Sequence, residues 1–280
     1  MRDNVEWAWH MIRATDADKA DVLKKLRINI MDNVYLYIDI LMYGFNHEFS
    51  RVWIQRDQGD VKYIVLKYYD SFQLYAAEDA FDYSEIAALI MEYKPAMISG
   101  RADLIRSISS MANEFYGSTY GVVLSQPHTG LKYADCFPEK TKEEDMEEVA
   151  HLVCSDQGIG GHYKPLELME QFIRRQNDKT GRNYIIRRDG GIVAHYATYA
   201  EASDIAVMSG MIVAPAYRGH GYARLLHCFL ADLLISENKT AVLFCHEQDV
   251  LKMYLKLGAV VRGEYGKLTL RKMGTLKAEK

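Results

Sequence analysis

The chain has little of several things that would narrow its function at once. Only four of its 280 residues are cysteine (Cys136, Cys154, Cys228, Cys245), far apart and without a CxxC pair. That excludes a disulfide scaffold and leads us to expect free, buried thiols in a reducing compartment. The nine histidines are equally scattered. Zinc needs ligands clustered at short spacing, so no metal is expected. An excess of basic charge is missing too, since 34 Lys+Arg stand against 38 Asp+Glu for a net −4. Divided at residue 130, the first part has 13 basic and 18 acidic residues and the rest 21 and 20. Neither part offers the basic face that nucleic-acid phosphates demand. The longest apolar stretch, Val34 to Phe45, is too short to span a bilayer and is interrupted by Asp39. Met1–His10 carries two acids and no small-residue cleavage site, so it does not read as a signal peptide. A cytoplasmic protein without membrane or nucleic-acid partners is the expectation. A GxxxxGK[ST] phosphate loop is absent throughout.

What is present suits a folded chain with two cores. Apolar residues make up 49 % and charged residues 26 %, and 280 residues leave room for about two domains. The apolar periodicity of Val22, Leu23, Leu26 and Ile30 predicts an opening helix that starts near Asp16 and Asp18 and stops at Gly44. Arg51–Arg56 and Val61–Tyr69 flank turn residues 57–60 and read as a hairpin. A helix from Ser84 to about Tyr93, a strand Pro95–Ser99, a helix Ala102–Asn113 and a strand Tyr120–Ser125 complete a mixed first part. Gln126-Pro127-His128-Thr129-Gly130 reads as a linker, which sets domains at 1–128 and 132–280.

The second part predicts helices Glu143–Cys154 and Pro165–Asn177, then strands Tyr184–Arg188 and Ile192–Tyr199 around Asp189-Gly190-Gly191. Strand Ala206–Val213, helix Gly219–Ile235, strand Thr240–Cys245 and helix Asp249–Leu257 follow, stopped by Gly258. Val260–Arg262 and Lys267–Leu270 read as a last hairpin. The glycine cluster Gly158, Gly160, Gly161 follows a helix and reads as a loop.

Arg218-Gly219-His220-Gly221-Tyr222-Ala223 is the informative stretch, set between a strand and a long helix. Two glycines let backbone N–H groups approach an anion, and a helix start adds unpaired donors and a positive dipole end. Arg218 and Arg224 add charge, so a pyrophosphate suits the place; the alternative is an ordinary glycine-rich turn. A dinucleotide fingerprint is excluded because Arg224 stands where it needs glycine.

The segment resembles the [RQ]xxGx[GA] pyrophosphate loop of the GNAT acyl-CoA N-acyltransferases. Ser209–Gly219 is similar to that family's fourth strand running into its loop, and Tyr254-Leu255-Lys256-Leu257-Gly258-Ala259 to its Tyr-x-Lys-Leu-Gly-Phe helix end. The resemblance covers roughly residues 135–272. It implies an α/β (α+β) architecture: a GNAT fold in the carboxy-terminal half, with a mixed, mostly antiparallel sheet flanked by helices. The first half resembles, through Asp39–Gly44 and the hairpin, the degenerate half of two-domain members. It has no copy of the loop, because Gly100-Arg101-Ala102 lacks a second glycine. A scaffold or substrate-facing lobe is the expectation there.

By the same resemblance the activity is transfer of an acetyl group from acetyl-CoA, the acyl-donor cosubstrate, to a primary amine of a small molecule or peptide. Attack would be direct, in a ternary complex. Met211, Ile212, Val213, Arg218, Gly219, His220, Gly221, Tyr222, Ala223, Arg224 and Glu247 fall on the cofactor positions. Glu247 stands where many members carry Asn, and Val250 replaces a usual alanine. A backbone N–H near Met211–Val213 would polarise the thioester, and Tyr254 would protonate the departing thiolate. The alternative for Tyr254 is a tyrosine that only packs. Glu201, Asp204 and His195 are the candidates for the base, with Glu201 placed first. A CoA-binding module without catalysis is the competing function.

Overall fold

The computed structural model describes residues 10–77, 83–111, 115–124, 137–156, 159–160, 163–245 and 247–270. The expected linker at 126–130, Cys136, and Gly158 and Gly161 lie outside the described residues. Along the chain the first elements are β1 (Ile12–Arg13), α1 (Lys19–Ile28), α2 (Val34–Tyr43), β2 (Asn46–His47), β3 (Ser50–Asp57), β4 (Asp60–Tyr68) and β5 (Ser71–Ala76). Then come α3 (Ser84–Tyr93), β6 (Met97–Arg101), α4 (Ala102–Met111) and β7 (Phe115–Leu124). The rest are β8 (Glu139–Lys140), α5 (Met146–Cys154), α6 (Pro165–Asn177), β9 (Arg182–Arg188), β10 (Gly191–Glu201), β11 (Ile205–Val213), α7 (Tyr222–Ser236), β12 (Thr240–Cys245), α8 (Gln248–Lys256) and β13 (Val260–Leu270).

Three expectations fail for local reasons. The single opening helix is two, because Asn29 leaves helical conformation (φ −125°, ψ 62°) and its carbonyl accepts from the Asn33 side chain at 2.9 Å. Strand β5 went unread because the turn before it, Tyr69-Asp70, carries no glycine. Tyr69 itself takes φ +51°, a conformation that turn rules reserve for Gly or Asn. The last hairpin is one continuous strand, β13. Gly266 does not mark a turn; a Cβ there would stand 2.7 Å from the Ile105 side chain, so glycine lets the strand approach α4.

The chain divides into two compact units, 1–120 with 263–280, and 121–262. In the first, β1-β3-β4-β5-β6 form a sheet that Tyr265–Thr269 of β13 extend by pairing antiparallel with β6. Trp53, Val65, Phe72, Leu74, Ile86, Ile98, Ile105 and Leu268 pack into its core on one face.

In the second unit the order is β7-β12-β11-β10-β9-β8, where residues 121–124 supply the β7 part. Among the described residues of this unit, only β11 and β12 run parallel. Helix α7 lays Leu226, Leu230 and Leu234 on one face, against Ile186, Tyr196, Met208 and Leu243. Helices α5 and α6 cover the other with Val149, Val153, Leu168 and Phe172, against Ile185, Ile192 and Ile212. Full burial of each such side chain stabilises by about 1.5–3 kcal/mol, which holds the sheet rigid beneath the site.

Candidate active site

Two irregularities in β11 make the site. Pairing between β11 and β12 ends at Met208 and Leu243. On its other side the register with β10 runs from Ala197↔Ser209 directly to His195↔Ile212, so Gly210 and Met211 together oppose Tyr196. This is a β-bulge, which leaves the extra residue outside the ladder and bends the strand. Gly210 takes φ +70°, and a Cβ there would stand 2.5 Å from the Tyr199 hydroxyl. An isolated glycine inside a strand pattern is a bulge signal, and it is the one by which sequence reasoning could have found this position. Met211 and Val213 pack on the α7 face, whereas the Ile212 side chain is buried in the α5–α6 core. Only the backbone of Ile212 is available to a cofactor.

Beyond β11, residues Pro215–Tyr217 make a short 3-10 turn, and Arg218–Gly221 lead into α7. Gly219 and Gly221 take φ +82° and +84° with nothing within 4 Å of a built Cβ, so backbone conformation is what requires glycine at both. The helical ladder begins with the Leu225 N–H on the Gly221 carbonyl at 3.0 Å. The amides before it are the donors a helix start leaves over, with the positive dipole end behind them. Arg218 is exposed; its Nε donates to the Val213 carbonyl (3.1 Å) and its Nη2 lies 3.4 Å from Asp156. The His220 ring stacks near Tyr222 at 6.0 Å, and Arg188 donates to the Tyr222 hydroxyl at 3.1 Å. Arg224 interacts one turn on with Cys228, and Ala223 lies in the first turn of α7. A loop of this conformation, with an exposed guanidinium beside the amides of a helix start, fits a pyrophosphate.

Tyr254, on α8, is 4 % exposed and belongs to the α7-face core. Its ring lies 4.8 Å from the buried ring of His227, which in turn lies 6.1 Å from Tyr196. Burial pushes the Tyr254 hydroxyl up to about 12, and the neighbouring Tyr196 hydroxyl pulls it back down. Tyr196 thus stands both opposite the bulge and beside Tyr254. Glu247 is exposed and occupies the N-cap of α8, where its carbonyl accepts from the Leu251 N–H at 2.9 Å.

Of the three expected bases, Glu201 and His195 are buried and hydrogen-bonded within the fold. Glu201 is 5 % exposed and accepts from Arg182 (2.7 Å), Lys239 (2.6 Å) and Thr198. Burial disfavours its charge, but these partners outweigh it and hold the carboxyl below its ordinary range. It pairs with Ala206, four residues before the bulge glycine, or about 13 Å along the strand. Glu201 is thus part of a buried ion-pair network with Arg182 and Lys239. Asp204 sits in the β10–β11 turn, farther still. His195 is fully buried, and both ring nitrogens are engaged, with the Gly210 carbonyl (2.9 Å) and Asn183 (3.0 Å).

Residues 146–259 match the family model described as Acetyltransferase (GNAT) family. No curated protein matches the sequence. Among solved structures, a Drosophila protein aligns at TM-score 0.68 and 10 % identity over 94 % of this chain and 99 % of its own. A GCN5-related N-acetyltransferase-like protein of Streptococcus suis aligns at TM-score 0.59 and 15 % identity, over 90 % of this chain and 100 % of its own. A tandem GNAT protein from the clavulanic acid biosynthesis pathway aligns at TM-score 0.59 and 13 % identity, over 93 % of this chain and 97 % of its own. With the glycine loop, the bulged strand and the α8 tyrosine all inside the matched segment, the carboxy-terminal half is a domain of the acetyltransferase (GNAT) family, preceded by a half that is GNAT-like in fold.

Proposed function

We propose that the protein transfers an acetyl group from acetyl-CoA to a primary amine of a small molecule or peptide, by direct attack in a ternary complex. The observation that carries this reading is the bulge at Gly210–Met211, opposite Tyr196, whose hydroxyl neighbours that of Tyr254, in a strand that runs on to the glycine loop. Acetyl-CoA supplies the activated acyl group. The amides of Gly219 to Arg224 and the Arg218 guanidinium bind its pyrophosphate, and Met211 and Val213 line the path of its pantetheine arm, which Glu247 borders. The Met211 N–H donates to the thioester carbonyl oxygen, where charge develops. Tyr254 gives its proton to the thiolate. Burial that raises the tyrosine also raises the proton affinity of a thiolate beside it, because desolvation disfavours either anion. Since Glu201 and His195 are engaged elsewhere, the amine deprotonates to solvent.

The absence of those bases from reach also favours a second reading, a CoA-binding module without turnover. One experiment separates the two: thiol release from acetyl-CoA by the whole chain with a panel of primary amines. Amine-dependent release is expected. Tight CoA binding with no release for any amine class would establish the second reading.

A further inference from the structure

His195 and Asn183 have no role in the reaction as described above, yet both are buried polar groups placed against the bulge. His195 is 0 % exposed and Asn183 1 %, on neighbouring strands β10 and β9. The Nδ1 of His195 lies 2.9 Å from the Gly210 carbonyl oxygen. A carbonyl only accepts, so Nδ1 carries the hydrogen. Burial holds the ring neutral, down at about 4. A neutral ring with Nδ1–H accepts at Nε2; the Asn183 atom placed 3.0 Å from it is Oδ1, also an acceptor, so the pairing requires the carboxamide turned end for end, its NH2 toward Nε2. Asn183 therefore fixes the tautomer, and the tautomer fixes the donor. The ring itself is wedged by Phe172 of α6, at 5.6 Å between centroids.

What this donor holds is a peptide that the β10–β11 register skips. Gly210 and Met211 are skipped in the β10–β11 register, and the β11–β12 pairing has already ended. The Gly210–Met211 peptide is trans, as no cis bond occurs among the described residues. In a planar trans peptide the C=O and the next N–H point in opposite directions. Pinning the Gly210 carbonyl toward His195, on the side of the α6 ring Phe172, aims the Met211 N–H away from it, toward the face of α7 and Tyr254.

We propose that His195 and Asn183 are positioning residues: through the Gly210 carbonyl they orient the Met211 N–H as the donor to the thioester carbonyl. This rests on the acetyl-transfer reading above. A purely structural role would not require this chemistry, because an apolar side chain fills a buried site without the desolvation cost of an imidazole.

The test uses the whole chain and acetyl-CoA labelled with 13C at the thioester carbonyl, read by infrared difference spectroscopy alongside calorimetry. In the wild type the bound carbonyl stretch is expected below that of free acetyl-CoA. His195→Leu removes the donor, so more than about half of that displacement should vanish while acetyl-CoA affinity stays within about threefold. His195→Gln, whose amide can donate to the same carbonyl, should restore most of it. Asn183→Leu is the second route if His195→Leu does not fold; it keeps the ring but releases the tautomer, and an intermediate or split band is expected. An undisplaced band in the wild type, or an unmoved band in either folded leucine variant, overturns the positioning role. Failure of the wild type to bind acetyl-CoA at all would instead overturn the acetyl-transfer reading itself, and calorimetry tells the two apart.

Discussion

A tyrosine hydroxyl raised to about 12 by burial remains a proton donor through about pH 10, more than a unit beyond the solvent-exposed case of useful margin. If Tyr254 is the acid, its ionisation puts no alkaline limb into the single-turnover rate up to that pH. Tyr254→Phe keeps the ring between His227 and the core but removes the proton, so the chemical step should slow by about 10²–10⁴-fold with acetyl-CoA affinity little changed. A chemical step within about twofold of wild type would leave Tyr254 as a packing residue. Glu201 belongs to the same scale with the opposite consequence. Its carboxyl, held ionised by Arg182 and Lys239, contributes stability that is present above the unfolded value of about 4.3 and is lost as pH falls through the lower folded value. Glu201→Gln removes the buried one of the two carboxylates that Arg182 and Lys239 share, Glu237 remaining, a loss of about 1–3 kcal/mol, and flattens the acid limb of the melting profile. The chemical step per folded molecule should not change; a large loss there would return Glu201 to the reaction.

The loop and the helix it opens act as one element. Gly221 is the N-cap of α7 at φ +84°, so any side chain there meets backbone strain of about 1–3 kcal/mol before it meets a ligand. Gly221→Glu adds a carboxylate at the positive end of the helix, where it would occupy the anion's place. CoA affinity should fall at least tenfold, about 1.4 kcal/mol, by calorimetry. Gly221→Asn tolerates the left-handed conformation without adding charge and should lose much less. Equal losses in the two variants would mean that backbone strain, not anion competition, governs the loop. At this scale the sequence was legible wherever a short motif encodes its own conformation. The glycine pair of the loop, the Asp189-Gly190 turn and the period of α7 all read correctly because their causes lie within a few residues. Tyr69 at positive φ did not, since nothing in the residue type announces it.

The first compact unit is not a continuous stretch of chain. Residues 263–280 count with the first, and the 121–124 portion of β7 pairs with Val242–Cys245 of β12 in the second. A chain beginning at Lys132 keeps the loop, the bulge and Tyr254, yet it uncovers the β12 edge and leaves β13 without β6. Four lost ladder positions correspond to about 2–6 kcal/mol, or roughly 5–20 °C in melting temperature for a unit of this size. Association through the bare edge is expected as well. Size-exclusion and melting measurements on that truncated chain check this; a monomer melting with the full chain would show that the exchanged strands contribute nothing. None of the described helices is long and apolar enough to cross a membrane.

The sequence by itself determined the parts whose physics is local: the anion-suited loop, the α7 stripe, the turn glycines and the mixed α/β order. What only the tertiary structure decided was which polar residues are free to act. Glu201, His195 and Asp204 look alike on paper as titratable groups near one strand. The partners of Glu201 and His195 come from residues distant in sequence, Arg182, Lys239 and Asn183, and from a register that skips Gly210 and Met211. The fate of a carboxylate or an imidazole is set by what desolvates it and what hydrogen-bonds it, and both are properties of the folded neighbourhood, not of the residue type.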